Sequence, residues 1–227
     1  MENVVRVLST LALMGAVRSL AGRYQAAGGA RIDADFAPTL GLLDRLRGGE
    51  NADVVILTKQ ALDDLASQGA VVADSCVDLA RSFVGIAVKA GADHPDIATE
   101  LALRAALLTA RVAYSRIGAS GIFFAALIER MGIAGEVNAQ ARIIPSGLTA
   151  ELLVTGEADL AVQQLSELKL VAGIEVVGPI PRHLQTPAVF SAGRLAASER
   201  AAQSGALLKY LASPEVAPVL RDSGLEP

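Results

Sequence analysis

A single cysteine, Cys76, no tryptophan and only two histidines, His94 and His183, stand in a chain of 227 residues. One cysteine cannot close an internal disulfide. Without a CxxC pair or an HExxH pattern there is no paired metal-ligand spacing either, so neither a resident metal nor a cofactor is expected. Aromatic residues make up 4% of the chain, and the 20 Lys and Arg are outnumbered by 24 Asp and Glu. A basic stripe and a set of stacking rings are therefore both missing, which excludes nucleic acid as a partner. Uninterrupted apolar runs of about 18 to 20 residues, the length a spanning helix needs, are absent as well. The expectation is a soluble protein that does not insert into membranes.

What the chain has is apolar mass, 52% of its residues, arranged in alternating patterns. Strand candidates at Val4–Leu8, Ala30–Phe36 and Ala52–Leu57 alternate with helical patterns over Leu13–Ala26, Leu40–Arg47 and Gln60–Gln68. Such alternation predicts βαβ units around a mainly parallel sheet. The continuous run Val54-Val-Ile-Leu57 reads as a central strand covered on both faces. Val7 to Val17 has the length of a signal-peptide apolar region, but Glu2 and a lone basic Arg6 precede it, so it reads as a strand feeding a helix. A cytoplasmic location is expected, with the periplasm as the alternative.

A second unit repeats the pattern with a helix near Ile97–Leu107, a strand Arg111–Tyr114, a helix Gly121–Arg130, a strand Ala141–Ile144, a helix Leu148–Thr155 and a strand Leu160–Gln163. The chain then returns through Gly173–Gly178 and Ala188–Ala192 to a final helix, Ala201–Leu211. The predicted organisation is α/β with two lobes, each a mainly parallel sheet flanked by helices. Lobe 1 is discontinuous, 1–82 plus 190–227, and lobe 2 is 83–189, with crossing hinge strands near 83–88 and 186–192. A ligand is expected in the cleft between lobes, at the carboxyl ends of the strands.

Several small polar loops at those ends open helices. Gly118-Ala-Ser-Gly121 follows a strand and starts a helix, where backbone N–H groups without intrahelical partners favour an anion and small residues let it approach. Ser120 and Gly121 are candidate contacts; the alternative is that Ser120 caps the helix and the glycines ease packing. A nucleophile elbow would read G-x-S-x-G, and this stretch lacks the closing glycine. Pro145-Ser146-Gly147 precedes another helical stretch, and Thr39 and Thr58 open helices in the first lobe. Lys59 is a candidate countercharge. Gln163 and Gln164 end an apolar strand, where an amide can donate to a carboxylate or anchor the fold.

Four segments, Gly49-Glu-Asn-Ala-Asp-Val-Val-Ile-Leu-Thr58, Gly118-Ala-Ser-Gly-Ile-Phe123, Gly156-Glu-Ala-Asp-Leu-Ala-Val-Gln163 and Leu211-Ala-Ser-Pro-Glu-Val-Ala217, come in an order that resembles the molybdate-binding-protein-like branch of the type 2 solute-binding proteins of ABC transporters. The resemblance implies two α/β lobes that close over a small anionic ligand, and an ABC transporter membrane component as partner if the protein is exported. Carried over by position, the family's oxyanion contacts fall near Ala12, Thr39, Ser120, Ser146 and Gln164. Ala12 replaces a serine, with Ser9 and Thr10 just upstream, and Gln164 replaces a tyrosine. These departures point to an organic di- or tricarboxylate ahead of molybdate or another tetrahedral oxyanion. An aconitate isomerase is related to the same branch, so an isomerase of small unsaturated polycarboxylates is the alternative. Moving the double bond requires a proton carrier. Lys59, Glu151, Glu167 and Tyr114 are the candidates, although Glu151 and Glu167 lie on helical patterns whose expected place is a solvated face.

Overall fold

A computed structural model describes residues 3–227; residues 1 and 2, counted above in the first lobe and in the export question, lie outside it. The chain divides into two compact units, Met1–Ser82 with Ala188–Pro227, and Phe83–Pro187. The first opens with β1 (Val4–Ser9), α1 (Met14–Ala26), β2 (Arg31–Phe36), α2 (Thr39–Arg47), β3 (Val54–Thr58), α3 (Lys59–Ser67) and β4 (Val77–Ser82). The second runs through β5 (Val84–Lys89), α4 (Glu100–Thr109), β6 (Val112–Ser115), α5 (Ala119–Arg130), α6 (Ala134–Gln140), β7 (Arg142–Ile144), α7 (Glu151–Thr155), β8 (Leu160–Gln164), α8 (Leu165–Leu168) and β9 (Ile174–Pro179). The chain then re-enters the first unit with β10 (Ala188–Arg194), α9 (Ala201–Leu211) and α10 (Ala217–Asp222).

The two sheets share one topology. The first has the order β2-β1-β3-β10-β4 and the second β7-β6-β8-β5-β9. In each, three strands pair in parallel, a fourth runs against them, and the edge strand reverses again. Four of the five strands in each sheet therefore point the same way, so their carboxyl ends, and the loops that follow, collect along one edge. The continuous apolar strands are the ones nearest the middle. Val54 to Leu57 of β3 and all of β8 are buried, as a strand covered by helices on both faces must be.

The first core packs Leu8, Val55 and Leu57 against Leu42 of α2 and Leu62 of α3. The second packs Val112, Tyr114 and Val162 against Leu107, Phe124 and Leu127. In the second unit the buried Gln185 side chain takes over backbone pairing at the start of β5. It accepts from Val84 N–H at 2.9 Å and donates to the Val84 carbonyl at 3.1 Å.

Three elements escape the sequence pattern. The Val77–Ser82 strand, β4, has a burial pattern without alternation, because its pairing with β10 shifts register between Phe190 and Ser191. α6 buries only Ala134 and Val137, too few residues to produce a helical period. α8 is a single turn. The predicted helix from Leu148 starts later, at Glu151. The reason is local: the Thr149 N–H is bonded to the Gln163 side chain at 2.8 Å, which holds residues 147–149 as a turn. α7 then ends where Gly156 adopts φ 79°, a left-handed cap that favours glycine.

Candidate anion-binding site

At the carboxyl edge of the first sheet stand Ser9, Thr39, Thr58 and Lys59. Ser9 ends β1 fully buried, and its hydroxyl donates to the Thr10 carbonyl at 3.1 Å, so it is already occupied. The Thr10 hydroxyl beside it is sealed and has no partner among the described residues. Thr39 is the first residue of α2, after an extended Pro38, and is 6% exposed. Its hydroxyl makes no hydrogen bond among the described residues. Thr58 occupies the N-cap position of α3 without using its side chain as a cap. Lys59 is 48% exposed and lies 3.4 Å from Asp63 and 3.5 Å from Asp78. Asp78 first and Asp63 second hold its ammonium above the ordinary lysine range. Its charge is thus met by two carboxylates of its own unit, a weak surface arrangement.

The second sheet gathers Ser120, Gly121, Ser146, Gln163 and Gln164 along its own carboxyl edge. After β6 the chain turns through Ser115, Arg116 and Ile117, and Gly118 takes the N-cap position of α5 with φ −94° and ψ 159°. Ser120 is the second residue of the helix, within its first turn, and is not the cap. It is 5% exposed, and its hydroxyl is bonded to nothing among the described residues. Gly121 has a packing reason: a Cβ there would sit 1.3 Å from the Ser115 carbonyl oxygen. The first turn of α5 contains no acidic residue, which leaves the positive end of its dipole uncompensated. Arg116, which sequence reasoning missed, is exposed in this loop. Its Nε donates to the Tyr114 hydroxyl at 3.3 Å, and that hydroxyl donates to Asn138 Oδ1 at 2.5 Å. Ser146 is exposed in the loop after β7.

Gln163 and Gln164 diverge, as alternation along β8 requires. Gln163 clamps the β7–α7 loop: its Oε1 accepts from Thr149 N–H at 2.8 Å and from the Thr149 hydroxyl at 3.0 Å, while its Nε2 donates to the Gly147 carbonyl at 3.1 Å. Replacing Gln163 by Ala leaves the buried Thr149 N–H without a partner, while the Thr149 hydroxyl keeps the Val162 carbonyl and the Gly147 carbonyl lies in an exposed loop. Such a loss costs about 3 kcal/mol, to be read as a lowered urea midpoint, with Ser146→Ala as a surface control that shifts it by less than about 0.5 kcal/mol. Gln164 arches over the first turn of α8 in a capping-box arrangement with Glu167, without a well-formed bond from its side chain. Its Oε1 is buried and unpartnered, as is the Ser166 hydroxyl.

Glu167 corrects the expectation of a solvated face. It is 7% exposed, whereas Glu151 is exposed as expected. Burial pushes its carboxyl up to about 8, against smaller opposing contributions from the Gln164 backbone N–H and the Gln163 side chain. At neutral pH it is mostly a neutral acid. The hydroxyl of Tyr114, another candidate proton carrier, is committed to Asn138, and Tyr114 itself is fully buried.

His94 Nε2 is 2.9 Å from Glu175, and neither histidine is hydrogen-bonded to a serine among the described residues. No group of three or more His, Cys, Asp or Glu among the described residues could hold a metal ion. Each unit by itself offers a helix start with an unbonded hydroxyl at the carboxyl edge of its sheet, Thr39 on α2 in the first and Ser120 on α5 in the second, the kind of donor that suits an anion.

The profile of the bacterial extracellular solute-binding proteins matches residues 5–226. The chain belongs to this family. Its architecture is the two-lobed type 2 periplasmic-binding-protein fold, with two similar mainly parallel sheets flanked by helices. Among solved structures, the periplasmic molybdate-binding protein of Azotobacter vinelandii superposes with a TM-score of 0.82 at 16% identity, covering 98% of this chain and 99% of that one. PEB3 with L-phospholactate bound superposes with a TM-score of 0.70 at 15% identity, again over 98% and 99% of the two chains. At such identities the likeness establishes the fold alone. An aconitate isomerase of a Pseudomonas species is 40% identical over 232 residues, covering 99% of this chain and 88% of the relative. Family membership is in keeping with a small anionic solute as ligand, and no helix of the described residues is long and apolar enough to cross a membrane.

Proposed function

We propose that this protein binds small unsaturated polycarboxylates and interconverts the isomers of aconitate. The observation that carries this reading is the 40% identity to an aconitate isomerase, which runs over 99% of the chain and is not confined to one lobe. Chemistry within the units supports it. A polycarboxylate needs N–H and hydroxyl donors, and each unit has its own, the α2 start with Thr39 in the first and the α5 start with Ser120 in the second. Shifting a carbon–carbon double bond needs a proton carrier that is neither always charged nor always neutral near pH 7, which Glu167 supplies.

A second reading is favoured by family membership: a solute-binding protein that delivers an organic anion to an ABC transporter and leaves it unchanged. The two readings separate in one experiment. Pure cis- and pure trans-aconitate are each incubated with the protein, and the isomers are resolved by liquid chromatography, alongside a thermal shift with each compound. Conversion of either isomer towards one common mixture, at a rate proportional to protein concentration, is expected. Thermal stabilisation by aconitate without conversion selects the transport reading. Stabilisation by molybdate alone contradicts both.

A further inference from the structure

We infer that Glu167 is the catalytic residue that carries the proton between the two carbons of the isomerising substrate, an assignment that rests on the isomerase reading. The argument is the setting of the side chain. Glu167 is the only Asp or Glu among the buried polar residues of the described chain. It has no counter-charge. The single turn α8 packs on β5, β8 and β9 at the Val84–Gln164 end of the sheet, whereas the charged residues of those strands, Lys89 and Glu175, lie at the other end, and no charged group contributes to the shift of the Glu167 carboxyl. Lys89 is bonded to the Val154 carbonyl and Glu175 to His94 and the Gly91 N–H, so both are engaged elsewhere. A carboxyl retained merely to cap α8 gains nothing over a glutamine, which would accept the same 3.3 Å bond from Gln164 N–H without the cost of burying an ionisable group.

The neighbours strengthen the case. Gln163, Gln164, Ser166 and Glu167 place four buried polar side chains within five consecutive residues, spanning the carboxyl end of a central strand and the turn that follows it. The Ser166 Oγ has no hydrogen-bond partner in the described structure, and Gln164 Oε1, turned towards the Glu167 N–H in the capping box, makes no well-formed one. Unpartnered buried hydroxyls also occur at Thr10, Ser82, Ser204 and Ser213; what sets this cluster apart is that it surrounds the buried carboxyl, where a bound group or water can complete it. Gly85 makes the placement close: a Cβ there would come within 2.3 Å of Leu165 Cδ2, so α8 is seated directly against β5.

The step balances without any co-reactant. In its ionised form, the minor one at pH 7, Glu167 takes a proton from the methylene carbon that lies between a carboxylate and the double bond. The C–H electron pair enters the conjugated system as a dienolate. The carboxyl then returns a proton to the former vinylic carbon, its O–H bond breaks as the new C–H bond forms, and the double bond emerges one carbon along, in either geometry. No electron is gained or lost overall and Glu167 ends as it began.

The test compares wild type with Glu167→Gln and Glu167→Asp on both aconitate isomers. Glu167→Gln is expected to lower kcat at least about 100-fold, the usual contribution of a positioned acid or base. KM and the aconitate-induced thermal shift should stay within about threefold and about 2 °C of wild type. Glu167→Asp restores part of the lost kcat. A folded Glu167→Gln protein with kcat within threefold of wild type overturns the assignment while leaving the isomerase reading intact. Wild type that binds aconitate and never converts it overturns both. Should Glu167→Gln fail to show a cooperative thermal transition, Glu167→Asp decides: unchanged kcat overturns the assignment, and a lowered kcat at constant KM upholds it.

Discussion

Glu167→Gln makes the protein more stable than wild type at pH 8 and flattens the stability profile between pH 5 and pH 8. The cause is the difference between the folded and unfolded states. In the unfolded chain the carboxyl titrates near its ordinary value of 4.5, whereas burial in the folded protein pushes it up to about 8. Between those values the folded state holds a proton that the unfolded state has released, so stability falls as pH rises through the window and levels off above the folded value. At 1.36 kcal/mol per pH unit the full window is worth about 5 kcal/mol, an order-of-magnitude figure. Glutamine has no proton to release and keeps the acceptor oxygen for Gln164 N–H. Urea unfolding at pH 5, 6, 7 and 8 measures it: the wild-type free energy should drop across the series by several kcal/mol more than that of the variant. Parallel profiles would mean that the carboxyl is ionised in the folded protein. Stability and the proposed catalysis thus draw on the same buried group, a familiar tension at functional sites.

Gly121→Ala is the most damaging single methyl group expected in the second unit. The added Cβ would lie 1.3 Å from the Ser115 oxygen and 2.4 Å from its carbonyl carbon. Both are backbone atoms of β6, so no side chain can swing away. The start of α5 must lift off the sheet, opening contacts that Phe124 and Leu127 make in the core and dragging Ser120 with it. A destabilisation of at least about 4 kcal/mol is expected, which belongs to the extreme of point substitutions. For a chain of this size that corresponds to a Tm lowered by roughly 10 °C or more. Gly118→Ala, at a position with φ −94° that any residue adopts, should cost far less. Equal effects of the two would show that helix propensity and not the close approach decides the position.

Much of this architecture was legible in the sequence because its strands are either fully buried or feed long helices. Val54–Leu57 and Leu160–Gln163 announce central strands through unbroken apolarity, and α1, α5 and α9 each carry enough apolar residues to show a helical period. β4, α6 and α8 were not legible: one is irregular in register, one buries two residues, and one is a single turn. The candidate loops were found because Gly, Ser and Thr at strand-to-helix junctions have a physical meaning that needs no third dimension. The state of each side chain did need it. Nothing in Leu165-Ser-Glu-Leu168 distinguishes a buried acid from a solvated one, since Glu167 stands at a helical position among polar neighbours. Likewise Gln163 and Gln164 are chemically identical in sequence, and only the contact with Thr149 makes one of them a clamp. Arg116 was passed over because an arginine in a loop carries no signal until the Tyr114 hydroxyl is seen holding it.

Proton NMR of trans-aconitate mixed with a catalytic amount of the purified protein tests the proposed function most directly. The vinylic and methylene signals of the cis isomer should grow in at a rate proportional to protein, approach the same final ratio reached from cis-aconitate, and vanish from the time course when Glu167→Gln replaces wild type. A spectrum of trans-aconitate that stays unchanged, while excess ligand raises the protein's melting temperature, would show a carrier of polycarboxylates with no isomerase activity.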